Sequence, residues 1–122
     1  MSLFAWLFLG HMVGDWLLQN DWMAASKTQQ LGTAAGMTHH TIYTFSVMIA
    51  LWLGSEQPYP WWMWLACVWL VFGTHWLIDS TGIVSLWMRF MGQTHKPIVQ
   101  VMVDQIFHLL VLALIGSVCS LV

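Results

Sequence analysis

The sequence predicts an all-α fold, a four-span transmembrane helical bundle with a short interfacial helix between spans three and four. Three observations carry the prediction. Only 7% of the 122 residues are charged, 59% are hydrophobic and the mean hydropathy is +0.71, whereas soluble domains carry about 25% charged residues. Four apolar stretches, parted by turn-forming or polar connections, come near the roughly 20 residues that cross hydrocarbon. Tryptophans gather at the stretch ends, Trp6, Trp52, Trp61, Trp62 and Trp64 at one set and Trp16, Trp22, Trp76 and Trp87 at the other. Such belts mark the two interfaces of a bilayer. The length fits a single integral membrane domain over residues 1–122.

The first span is predicted over about 2–19 and ends at Asn20 and Asp21. It lacks a basic start, and its apolar run continues into His11 and Asp15, which argues for a retained span over a removed signal peptide. The second, about 31–53, opens with Gly32-Thr-Ala-Ala-Gly36, small residues four apart that suit a close helix contact. It then carries Thr38, His39, His40, Thr41, Tyr43, Thr44 and Ser46, polar groups that in hydrocarbon must face protein, ion or water. Pro58 and Pro60 mark the following turn. The third span, about 61–80, stops before Gly82. Residues 83–91 are too short to cross and are expected at the interface, Arg89 toward the headgroups. Pro97 suits a first helical position, and the fourth span follows over about 97–118.

All three basic residues, Lys27, Arg89 and Lys96, fall in the 20–30 and 80–96 connections. The positive-inside bias makes those connections cytoplasmic and sets both termini outside. So few basic residues, with a net charge of -2, exclude nucleic acid as a partner. Cys67 and Cys119 lie in apolar runs and read as buried hydrophobes, with no disulfide expected.

The chemistry-bearing residues come in pairs. His75 and Asp79, His11 and Asp15, and Asp104 and His108 are each four residues apart, the spacing that puts two side chains on one helix face. At 1.5 Å per residue these pairs, with His39 and His40, fall at similar depth in the cytoplasmic half. Ionisable groups inside a span cost about 2.5–3.5 kcal/mol each on insertion scales and mark function. The bland alternative is a set of hydrogen-bonded clips between helices. Imidazole and carboxylate suit zinc first, with manganese or iron as alternatives. The candidate ligands are His11, Asp15, His40, His75, Asp79, Asp104 and His108. His39 and His40 lie about 100° apart on a helix, and His40 shares a stripe with Gly32, Gly36 and Thr44, so His39 takes a supporting place.

If the site is catalytic, Asp15, Asp79 and Asp104 are the candidate acid–base residues beside a metal-activated water. Gln19, Lys27, His39, Arg89, Lys96 and Gln105 are candidates for supporting the ligands or holding an anionic substrate such as a lipid phosphate. The reaction this suits is metal-dependent hydrolysis of a lipid or phosphate ester. Two alternatives stay open: transport of a metal ion or proton, and a structural subunit of a membrane complex. Membrane lipid, a second copy of the chain or a membrane protein would be the partner. No His-Glu-x-x-His, Gly-x-Ser-x-Gly or phosphate loop is present to name a reaction.

The run His11-Met-Val-Gly-Asp15-Trp-Leu-Leu-Gln19 with Lys27, the His39-His40 pair, His75-x-x-x-Asp79 and Asp104-Gln105-x-x-His108 resemble the DUF3307 family of small bacterial and phage membrane proteins. The resemblance touches all four apolar stretches. It implies a membrane location and brings no established reaction.

Overall fold

The structure, a computed structural model, describes residues 1–26, 32–93 and 96–122. The described residues are helical throughout, apart from short connections. Helix α1 spans Leu3–Met12 and runs on as a π-helical turn over Val13–Leu17; α2 spans Asp21–Ser26, α3 Ala34–Gly54, α4 Trp61–Ser80, α5 Ile83–Phe90 and α6 Pro97–Ser120.

Local chemistry sets the boundaries. The Ala5 N–H donates to Ser2 Oγ at 3.2 Å, and the Gly36 N–H donates to Thr33 Oγ1 at 3.1 Å, so each hydroxyl satisfies an amide at a helix start. Pro60 precedes α4 and Pro97 opens α6, where a missing N–H costs nothing. Gly82 (φ 67°) separates α4 from α5 in a left-handed conformation that side-chain-bearing residues avoid. Helix α5 is a short amphipathic piece that buries Val84 and Met88 against Ile78 and Val103 and leaves Leu86, Arg89 and Phe90 exposed.

The four longer segments close a ring. Helix α1 with its π turn packs on α3, α3 on α4, α4 on α6, and α6 back on α1. The closest approach in this ring lies between α1 and α3. A Cβ added at Gly10 would stand 2.6 Å from Ala50 Cβ, and one at Gly14 would stand 2.9 Å from Tyr43 Cα. Only glycine admits that crossing. Gly10 and Gly14 therefore make the small-residue contact that the sequence suggested for Gly32 and Gly36. Nothing lies within 4 Å of a Cβ at Gly32, and at Gly36 only the capping Thr33 hydroxyl does.

The expectation of four membrane spans does not hold. Among the described residues two helices are long and apolar enough to cross a membrane, α4 with 20 residues and α6 with 24. The first segment has only 10 α-helical and 5 π-helical residues, short of the roughly 20 a crossing needs. Helix α3 has the length, 21 residues, but its polar run from Thr38 to Ser46 leaves it too hydrophilic to pass as a span. A run of apolar letters in the sequence overstated both.

Candidate metal centre

Four elements bring polar side chains to one level of the interior. Asp15 comes from the π turn, His39 and His40 from α3, His75 and Asp79 from α4, and Asp104, Gln105 and His108 from α6. His39, His40, His75 and His108 are each no more than 2% exposed, and Asp15 and Asp79 are only 4% and 5% exposed.

The tightest grouping has two nitrogens and two oxygens. His39 Nε2 lies 3.2 Å from His75 Nε2, 3.2 Å from Asp15 Oδ1 and 3.4 Å from Asp79 Oδ2. His75 Nε2 lies 3.6 Å from Asp15 Oδ1 and 2.8 Å from Asp79 Oδ2. Donors held 2.0–2.2 Å from one tetrahedral cation stand about 3.3–3.6 Å apart. Four of the five separations are within about 0.1 Å of that range; the fifth is a direct hydrogen bond that a cation would open by about half an ångström. His40 also offers a nitrogen within 4.8 Å of the ligand atoms of His39, His75 and Asp79. Its Nε2 is 3.4 Å from Ser80 Oγ. A buried His/Asp cluster capable of coordinating a divalent metal is thus present.

Ring packing orients the central imidazoles. The His75 ring stands edge-on to Tyr43 with centroids 3.6 Å apart, and to His39 at 4.8 Å and His108 at 4.7 Å. His108 is fixed differently. Its Nδ1 lies 2.9 Å from the Asp104 carbonyl oxygen, which can only accept, so Nδ1 carries the proton and Nε2 turns toward Asp79 Oδ1 at 3.4 Å.

A second network surrounds the first. Trp16 Nε1–H donates to Gln105 Oε1 at 3.1 Å. Because indole N–H is donor only, this contact identifies the Gln105 oxygen and leaves its amide nitrogen facing the acids. That nitrogen donates to Asp15 Oδ2 at 2.9 Å and Asp104 Oδ2 at 3.2 Å. The same oxygen accepts from His11 Nε2 at 2.7 Å, so His11 Nδ1 accepts from the Tyr43 hydroxyl at 3.1 Å.

Residues 3–122 match the family described as "Protein of unknown function (DUF3307)". The chain belongs to this family. No curated protein and no solved structure matches it.

In this DUF3307 chain the residues singled out from the sequence separate into three sets. Asp15, His39, His40, His75, Asp79, Asp104 and His108 meet in the centre, in two neighbouring groups, one of His39, His40, His75 and Asp79 and one of Asp15, Asp104 and His108. His39, which the stripe argument placed in support, comes within 3.2 Å of both Asp15 Oδ1 and His75 Nε2. His11 and Gln105 form the surrounding network, in which Gln105 bonds both His11 and Asp15. Gln19 is half-buried, and Arg89 and Lys96 are exposed. Lys27 lies outside the described residues. Tyr43 and Trp16 were not singled out as site residues. Tyr43 sits four residues after His39, on the same helix face, and that spacing was the available signal; Trp16 gave none.

The centre has a way in. A cleft of about 340 Å³ between the end of α4, α5 and the start of α6 reaches Asp79 and Asp104, with Ser85 and Gln100 also lining it. The Asp104 side chain is 20% exposed, while those of Asp15 and Asp79 are 2% and 0%.

Proposed function

We propose that this DUF3307 chain is a membrane metalloprotein in which His39, His75, Asp15 and Asp79 hold a divalent cation. Zinc is the first choice and manganese or iron the alternatives. The cation would serve hydrolysis of a membrane lipid or other phosphate ester. The observation that supports the cation is the set of near-tetrahedral separations among two imidazole nitrogens and two carboxylate oxygens. Electrostatics favours it too. Two buried carboxylates facing the same imidazoles would repel each other, and an uncompensated buried charge costs several kcal/mol. Among the described residues no lysine or arginine side chain is buried beside them, and a divalent cation supplies the missing charge.

The membrane placement rests on α4 and α6. Only 28% of the most apolar stretch of α4 and 22% of that of α6 is buried, whereas the core helix of a soluble protein hides most of its apolar surface. Trp69, Leu110 and Leu114 are among the exposed side chains. With these two helices crossing, Arg89 and Lys96 in the connection between them favour the cytoplasmic side of a bacterial inner membrane for that connection.

A bound divalent cation lowers the pKa of a coordinated water and polarises a phosphoryl oxygen. Water oxygen would then attack phosphorus, the ester P–O bond would break, and the proton would leave with the departing oxygen. Asp104, the most exposed of the three acids, is the one an incoming substrate or water meets first.

The test is metal analysis of the detergent-purified protein, followed by incubation with labelled phospholipid in mixed micelles. Bound or restorable metal together with water-soluble phosphate product supports the proposal. Metal-dependent ion flux in liposomes without product would move the centre to transport. A folded protein that neither carries nor takes up metal ends the metalloprotein reading.

A further inference from the structure

We infer that the centre holds a second, exchangeable divalent cation at the floor of the cleft, bound by His108 Nε2, Asp79 Oδ1 and the Asp104 carboxylate. The inference rests on the metalloprotein reading and adds a site, an access route and a division of labour to it.

His108 supplies the first reason. Its Nδ1 proton is committed to the Asp104 carbonyl, and the residue is 2% exposed with no hydrogen-bond partner for Nε2 among the described residues. In the neutral ring that Nε2 carries a lone pair, and Asp79 Oδ1 lies 3.4 Å away. Two lone pairs facing each other repel. Protonating Nε2 would make a charge-assisted pair, and such pairs close to about 2.7–2.9 Å. The observed separation instead matches two ligands sharing one cation, about 3.0–3.6 Å for angles between octahedral and tetrahedral.

Asp79 supplies the second. Its Oδ2 faces His39 and His75 while its Oδ1 faces His108, so one carboxylate links the two positions. Asp15, Asp104 and His108 also offer ligand atoms within 4.8 Å of one another. Gln105 holds Asp15 Oδ2 and Asp104 Oδ2 in place through its amide.

The two positions differ in access. The first is enclosed by four protein donors, the character of a structural site, whereas catalytic sites keep a coordination position open. The second lies where Asp79 and Asp104 meet the cleft, and the ligands named for it leave room for water or a phosphoryl oxygen. The cleft cation would be the working one, and the enclosed cation would set the geometry of Asp79.

Zinc stoichiometry and exchange test this. The native protein, purified in detergent and loaded with zinc, is expected to carry two equivalents, one of which trades rapidly with isotopically distinct zinc. Asp104→Asn should keep one equivalent, the slow one, with unchanged helicity. Ser85→Trp narrows the cleft without touching a ligand, and it should keep both equivalents while slowing exchange of the fast one by about tenfold or more. A native protein with one equivalent overturns the second site and leaves the first standing. So does an Asp104→Asn variant that retains both, or a Ser85→Trp variant whose exchange is unchanged. A native protein with none overturns both readings.

Discussion

The two ends of the helix ring have interiors of equal burial and opposite chemistry. At one end Leu7, Val47, Leu51, Met63, Cys67, Leu112, Ile115 and Cys119 form an apolar core, both cysteines free. At the other, the same helices enclose five histidines and the carboxylates of Asp15 and Asp79. Leu51 and Leu112 are each 1% exposed, and so are His40 and His75. Packing alone accounts for the first interior, since apolar side chains of fitting volume suffice to fill it. The second needs every charge and lone pair answered, and a buried ionic group gains little net stability over an apolar one of similar shape. The comparison assigns the fold to the apolar end and the chemistry to the polar end.

Asp79→Asn should separate the ends most sharply. Asp79 faces His39, His75 and His108 at once, so removing its charge strikes both cation positions. Metal affinity should fall by more than the roughly 100-fold that loss of an outer partner costs. Circular dichroism should still report a helical protein, because the apolar core is untouched. Retained metal in this variant would break the assignment of chemistry to the polar end.

Leu112→Ala is the converse. It opens a cavity beside Leu7 and Val47 and should lower stability by about 2–5 kcal/mol, read as a lower thermal midpoint in detergent. Metal per folded chain should not change. If metal content fell in parallel, the two interiors would be one cooperative unit and the division would be lost.

Part of this division was legible in the sequence. Histidine and aspartate four residues apart on three segments named six residues, of which Asp15, His75, Asp79, Asp104 and His108 lie in the central groups; the helical stripe added His40, and His39 is there where His11 is not. Helical periodicity could not show the rest. The π turn over Val13–Leu17 adds a residue to the local repeat at Asp15, where such bulges often mark functional sites. It takes Asp15 toward α3 and α4 while His11 turns to Tyr43 and Gln105. Counting apolar residues inflated the number of spans because it ignores what a helix faces: the polar run of α3 is buried against protein. The Gly10 and Gly14 spacing was visible, but composition alone could not choose between it and Gly32 and Gly36. Only the crossing of α1 over α3 decides, and that depends on where the other helices sit.

The smallest effect tests how far the polar end extends. Trp16 is 53% exposed, yet its indole N–H donates to the same Gln105 oxygen that His11 does. Trp16→Phe keeps the ring and removes that donor. His11 still donates to Gln105 Oε1 at 2.7 Å, so the amide should hold its orientation most of the time. Zinc affinity, measured by competition with a chromogenic chelator, should weaken by less than about tenfold, below the usual range for outer partners. Gln105→Leu removes both amide contacts to Asp15 and Asp104 and should cost more, about 10–100-fold. If the two variants weakened zinc equally, the indole would be setting the amide and His11 would not, and the exposed rim would belong to the centre. If neither had an effect, the carboxylates would be placed by their helices alone, and the polar end would stop at the ligands themselves.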